Sequence, residues 1–501
     1  MIGTNKKRLG GISFDAILLT FIKLITTALG LATTRLLSEH LSVYDYGTYS
    51  QVLLVVSTVA SLTIFGMMDG MNYFYCKEAS PEKKEAYAAT ILTSQLMLGT
   101  FAGVLIMLLS APLCAYFDNP GLKGLLIFAA LLPTLQNLLW ILQVMIVSIG
   151  GARKLAIRNF VVSIARLAAV ICVATFVNNV AFYLAFTVVL DLAQMAFFGG
   201  VLYKNKCYIR PTKVDFRLLG EIVKYCAPMA IFIIVNSLNR DLDKYLVSLL
   251  TDTETLAMYA NASKQLPFDI IMSSFATVLV PHIIKTFSSG NTVAATKMCR
   301  SYFEISYVST GVLCFAALSS APQFMKLLYS NKYTAGLAIF CVYILVDLAR
   351  ITNLTIIISS AGKSKWLMIM GGGSIAVNAL LNFVLYDLIG LMGPAVATLI
   401  VTAVTGMIMI YLDSRVLKAK LTELIDFKYL LLFMAEAVVL TVALSFVGHM
   451  LDAWDVHYFI NLVLIAGAYV LIMLLLNFKR VIANMKKLNS LSKEEIQENN
   501  Q

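Results

Sequence analysis

The sequence predicts an all-α polytopic membrane protein of about fourteen transmembrane helices. Three observations carry this. Of 501 residues, 59% are hydrophobic and only 13% are charged, about half the charged share of an ordinary soluble domain. Mean hydropathy is +0.81. The apolar residues gather into fourteen runs of span length, and about 20 such residues cross a bilayer. A chain this poor in charge cannot cover a soluble surface of its size. That excludes a cytosolic enzyme, a secreted disulfide scaffold and a disordered chain. The short connections leave no room for a separate soluble catalytic domain.

The first six runs lie at 12–36, 47–68, 86–110, 122–148, 155–178 and 180–203. Lys6, Lys7 and Arg8 precede the first, which is too long for a cleavable signal and lacks a small-residue cleavage site. These runs make an N-terminal six-helix lobe, 1–203, followed by a basic linker at 204–221. Six more runs lie at 222–249, 255–283, 301–322, 335–360, 366–386 and 390–412, and make a second lobe, 222–413. An extra helix pair occupies 414–477, with runs at 429–449 and 457–477. The polar tail 478–501 is expected to fray beyond Lys487. Pro133, Pro228, Pro267, Pro281 and Pro394 fall within spans, where each removes a backbone hydrogen bond and permits a kink. Gly371, Gly372 and Gly373 suggest close helix packing. Tyr44, Tyr46, Tyr49 and Trp454 fit an interfacial belt.

The net charge of +11 reads better as a membrane topology signal than as a nucleic-acid surface. With the N-terminus inside, the inside segments hold 28 of the Lys and Arg residues and the outside segments hold 4. The positive-inside rule then places both termini in the cytoplasm. The eight cysteines and four histidines are scattered, with no CxxC and no zinc spacing, so neither a metal site nor a cofactor is expected.

The two sixes resemble each other. At an offset of 210, Ser38 meets Ser248, Gly47 meets Ala257 and Tyr49 meets Tyr259. Both units start inside, as parallel repeats do, related by a pseudo-two-fold along the membrane normal.

Charges at membrane depth cost about 2.5–3.5 kcal/mol each on insertion scales, so they must face a cavity or a partner. The candidates for a cationic substrate cavity are Lys23, Arg35, Arg158, Arg240, Lys244 and Lys264. Arg240 and Lys244 share one helix face, and Arg158 and Arg166 share roughly one. Asp69, Asp191, Asp241, Asp269, Asp347 and Arg350 are candidates for ion coupling or pairing. The functional reading is a seat for an anionic group, with Arg suited to bidentate contact. The plainer reading is internal pairing: Arg166 with Asp191, Arg240 with Asp243, Asp347 with Arg350.

Tyr259 to Pro267, followed by Val278-Leu279-Val280-Pro281 and Lys285, resembles a pattern of lipid-linked oligosaccharide flippases. These are the polysaccharide branch of the multidrug/oligosaccharidyl-lipid/polysaccharide exporter superfamily. Arg35 with Tyr44 to Ser50, Asp69 to Phe74, and Asn239 to Tyr245 are similar to that family's first, second and seventh helices. The resemblance to Wzx-type O-antigen and capsule flippases implies two six-helix lobes around a cationic cavity. It implies undecaprenyl pyrophosphate carrying a short sugar chain as substrate, flipped across the bacterial cytoplasmic membrane by alternating access. It also implies glycosyltransferases and a polysaccharide polymerase as partners. Arg35 and Arg240 match basic positions in the family's first and seventh helices, whereas the second helix carries Asp69 instead. The alternative is a cation-coupled multidrug exporter of the same superfamily. An enzyme is not expected, because every outward loop is short, and the absence of GxxxxGK[ST] leaves ion gradients or mass action as the energy source.

Overall fold

The computed structural model describes residues 5–78, 80–149, 151–177, 179–269, 272, 283–284, 286–287, 289–352, 357–358, 361 and 363–498. Among the described residues no strand occurs, and eleven helices are long and apolar enough to cross a membrane. Two bent pairs raise the number to thirteen. Of the eighth expected span, 255–283, residues 270–271 and 273–282 lie outside the described residues, Pro281 included.

The chain divides into two compact units, Met1–Met258 and Tyr259–Gln501. In the first, α1 (Asn5–His40), α2 (Val43–Thr63), α3 (Met67–Lys77), α4 (Pro81–Leu108), α5 (Ser110–Tyr116), α6 (Leu122–Ser148), α7 (Ala152–Cys172), α8 (Val180–Lys204) and α9 (Leu219–Leu250) follow in order, and α10 (Thr253–Ala262) spans the boundary. Helix α6 is the hub: α2, α4 and α8 all pack on it, and most of its apolar stretch is buried. Its hydrophobic face alone does not fix its neighbours, because lipid is as apolar as leucine. Small residues and polar pairs do so instead. Gly99 and Gly103, four apart on α4, let that helix touch α6; a Cβ at Gly103 would meet the Ala130 carbonyl oxygen at 2.5 Å. Asn137 of α6 donates to the Ala60 carbonyl at 3.0 Å and to Thr63 Oγ1 at 2.9 Å.

Helices α2 and α3 form one span bent by 42°. No proline causes the break. Phe65 and Gly66 adopt left-handed backbone, φ 44 and 68, and a Cβ at Gly66 would meet the Cys226 carbonyl oxygen of α9 at 2.8 Å. Ser237 of α9 donates to Ser61 at 2.7 Å, and the Thr58 and Tyr245 hydroxyls bond each other. These contacts pack α9 against α2 and α3 within the first compact unit. Pro228 lies inside α9, where the span bends by 47° as its missing N–H allows.

The second unit contains α11 (Thr292–Ser319), α12 (Leu337–Ala349), α13 (Ser364–Ile389), α14 (Met392–Leu417), α15 (Phe427–Ala453) and α16 (Tyr458–Glu498). Here α11 is the hub, with most of its apolar stretch buried, because the extra pair α15 and α16 packs on it. Arg300 Nη2 and Arg480 both reach Asp426, and Arg300 Nε lies 3.0 Å from Glu304, so one charged cluster ties three helices together. Three expectations change in this unit. Pro394 sits in the first turn of α14, where its missing N–H costs nothing. Gly372 and Gly373 have no atom near a built Cβ, so they do not serve close packing. The tail does not fray at Lys487: α16 runs on to Glu498, through residues that favour helix.

Candidate functional site

Within the first unit, α1, α6, α7 and α8, each carrying a stretch long and apolar enough to cross a membrane, line a cavity of about 510 Å³. Local sequence sets it up. Gly151 makes the tight α6–α7 turn, where a Cβ would meet Ile146 atoms at 2.6 and 2.7 Å. Arg158 and Arg166, eight apart on α7, then present to one side, as do Gln136 and Gln143, seven apart on α6. Asp191 and Gln194, three apart on α8, close the wall.

Arg158 is 9% exposed. Its guanidinium lies 4.5 Å from the Phe198 ring centroid, and Nη1 donates to Asn159 Oδ1 at 2.6 Å. Nε and Nη2 have no hydrogen-bond partner among the described residues. Arg166 Nη2 stands 3.5 Å from Asp191 Oδ1, and Gln194 Nε2 donates to the same oxygen at 2.8 Å. Asp191 is 1% exposed, and its Oδ2 has no partner among the described residues. Two guanidiniums face one carboxylate, leaving the cavity one positive charge in surplus. The arrangement can hold an anion by charge-assisted donors, which strengthen away from water.

Of the residues singled out from sequence, Arg158 and Asp191 meet here. The Arg166–Asp191 pair is present as the plainer reading held. Arg35 instead pairs with Glu39 at 3.3 Å. Lys23 is exposed on α1. Lys244 Nζ bonds Asp241 Oδ1 at 2.7 Å. Arg240 is exposed, with Nη2 3.5 Å from Ser237 Oγ. Asp69 is half-buried on α3. In the second unit Lys264 and Asp269 are exposed. Asp347 pairs with Arg350 at 2.9 Å and accepts the Leu266 N–H at 3.2 Å. None of these lines the α7 cavity.

Sequence reading missed the amides, Trp140 and the site role of Arg166. It also missed Asp413, which is buried in α14 with neither carboxylate oxygen partnered among the described residues. Counting charges passes over glutamines, although their seven-residue spacing on a span was visible.

The helix arrangement matches solved membrane transporters. A structure titled lipid II flippase MurJ, inward closed conformation, superposes with TM-score 0.67 at 13% identity, over 93% of this chain and 100% of that one. An inward-facing multidrug resistance MATE transporter gives 0.66 at 13% identity, over 80% and 98%. A Pyrococcus furiosus transporter whose title reports a binding pocket of reversed polarity gives 0.56 at 9% identity, over 81% and 95%. No curated protein sequence matches the chain. The chain thus has the fold that these transporter structures share. More particularly, the chain belongs to the family described as polysaccharide biosynthesis protein, whose model matches residues 34–337.

Proposed function

We propose that this transporter flips a lipid-linked oligosaccharide, of the undecaprenyl-pyrophosphate type, from the inner to the outer leaflet of a bacterial cytoplasmic membrane. It does so by alternating access, without covalent chemistry, and both termini stay in the cytoplasm. The observation that carries this reading is the surplus positive charge of the α7 cavity, which suits an anionic group of a lipid-linked oligosaccharide and would be expensive in an apolar span without one. The family description and the flippase among the structural neighbours support it. A cation exporter would need a net negative seat, and Arg158 with Arg166 outnumbers Asp191. The test is a depletion strain carrying the gene as its sole flippase. Loss of the protein should strand lipid-linked sugar on the inner leaflet. Unchanged outer-leaflet sugar after depletion overturns the proposal.

A further inference from the structure

The α7 cavity leaves two kinds of demand unmet. Arg158 Nε and Nη2 and Arg166 Nε are buried donors without acceptors among the described residues. Asp191 Oδ2 is a buried acceptor without a donor. A buried polar atom left unpaired is costly, so the full set points to a ligand that answers both. A pyrophosphate is almost all acceptor: it would satisfy the arginines but bring its oxygens against Asp191 Oδ2. A saccharide hydroxyl donates as well as accepts. Side-chain amides do the same, and Gln136, Gln143 and Asn159 line this cavity. Trp140, 40% exposed, adds a flat apolar ring beside them, a surface for the C–H face of a sugar ring.

From this we infer that the cavity is a saccharide subsite, and that the sugar it takes carries one carboxylate. The surplus charge of Arg158, Arg166 and Asp191 is +1, which a uronate neutralises and a pyrophosphate overshoots. The carboxylate sits on the Arg158 fork, and a ring hydroxyl donates to Asp191 Oδ2. This rests on the flippase reading and refines it: the cavity holds the glycan, and the pyrophosphate lies elsewhere along the path.

The experiment is Trp140 fluorescence in the purified full chain in nanodiscs, with Trp366→Phe and Trp454→Phe leaving Trp140 as sole reporter. The probes are a glucuronate-containing oligosaccharide, its glucose counterpart and inorganic pyrophosphate. The glucuronate probe should bind about tenfold more tightly than the neutral one, as a charge-assisted contact requires. Arg158→Gln should remove that preference while neutral-sugar binding persists. Equal binding of the two sugars overturns the carboxylate assignment. Competitive displacement by pyrophosphate overturns the saccharide assignment but leaves the flippase reading intact. If no sugar and no pyrophosphate binds but a lipophilic cation does, the flippase reading itself fails.

Discussion

Arg166 Nη2 stands 3.5 Å from Asp191 Oδ1, at the outer limit of a hydrogen bond, while Arg158 on the same helix makes no ion pair among the described residues. One helix thus carries a neutralised guanidinium and a buried one held mainly by an amide and an aromatic face. The two respond differently to substitution.

Arg158→Ala is expected to cut outer-leaflet delivery of lipid-linked sugar at least about tenfold, with the protein still inserted and expressed. Arg158→Lys keeps the charge without the fork and is expected to retain part of the activity. Sugar reaching the outer leaflet at the normal rate in Arg158→Ala would remove Arg158 from the transport path.

Arg166→Gln leaves a nearly inaccessible carboxylate without its closest cation. Loss of one partner of a buried pair costs roughly 3 kcal/mol, here moderated by the exposure of Arg166. Asp191→Asn leaves a cation that can reach water and is expected to cost less. Thermal unfolding in detergent should rank Arg166→Gln lowest, with the Arg166→Gln, Asp191→Asn double variant recovering most of the loss. The reverse ranking would mean that Asp191 does not depend on Arg166.

Gly103→Leu forces a side chain against the Ala130 carbonyl, and is expected to lower stability by about 1–3 kcal/mol. Gly373→Ala meets open space inside α13 and is expected to leave the melting temperature unchanged or slightly raised. Equal melting temperatures for Gly103→Leu and the wild type would show that α4 and α6 do not meet at this point.

At the start of α15, burial raises the Asp426 carboxyl, but the Tyr429 N–H, Arg480 and Arg300 outweigh it and hold it below the usual carboxylate range. A depressed carboxylate contributes stability above its unfolded value of about 4, and loses it as pH falls through the lower folded value. The advantage of wild type over Asp426→Asn in thermal unfolding should therefore be constant from pH 7 to about 5, and shrink below about 4. A gap that widens on acidification would reverse the sign of the interaction.

Ser490→Cys, in a chain cleared of native cysteines, is expected to resist an impermeant thiol reagent in intact cells and to react after permeabilisation. Labelling of intact cells would place the C-terminus outside.

Thirteen of the fourteen expected spans have a helical counterpart, because hydropathy is strong in residues that must face lipid. What stayed hidden depends on backbone and on neighbours. The break at Phe65 and Gly66 has no proline to announce it, and its purpose becomes visible only where Cys226 packs against it. Tyr44 read as a belt residue, yet its hydroxyl donates to buried Asn119 at 2.7 Å, and Asn119 in turn bonds Thr48 and Gln51. In the site, Arg158 and Asp191 were legible because a charge in a span is rare. Gln136, Gln143 and Gln194 were not, because an amide carries no such penalty and helices bring them together only in three dimensions.

Helix α16 is 41 residues long, about 60 Å at 1.5 Å per residue, twice the hydrocarbon thickness of a bilayer. Its span ends at Arg480, where the guanidinium is clamped to Asp426 and lies over the Tyr429 ring at 3.6 Å. Beyond that fulcrum the helix is a lever arm. A tilt of about 10° at Arg480 would sweep its tip through roughly 5 Å, over the ~27 Å that the last eighteen residues span. A spin label near Glu498 would therefore magnify movements of the second unit that are too small to read at the membrane itself.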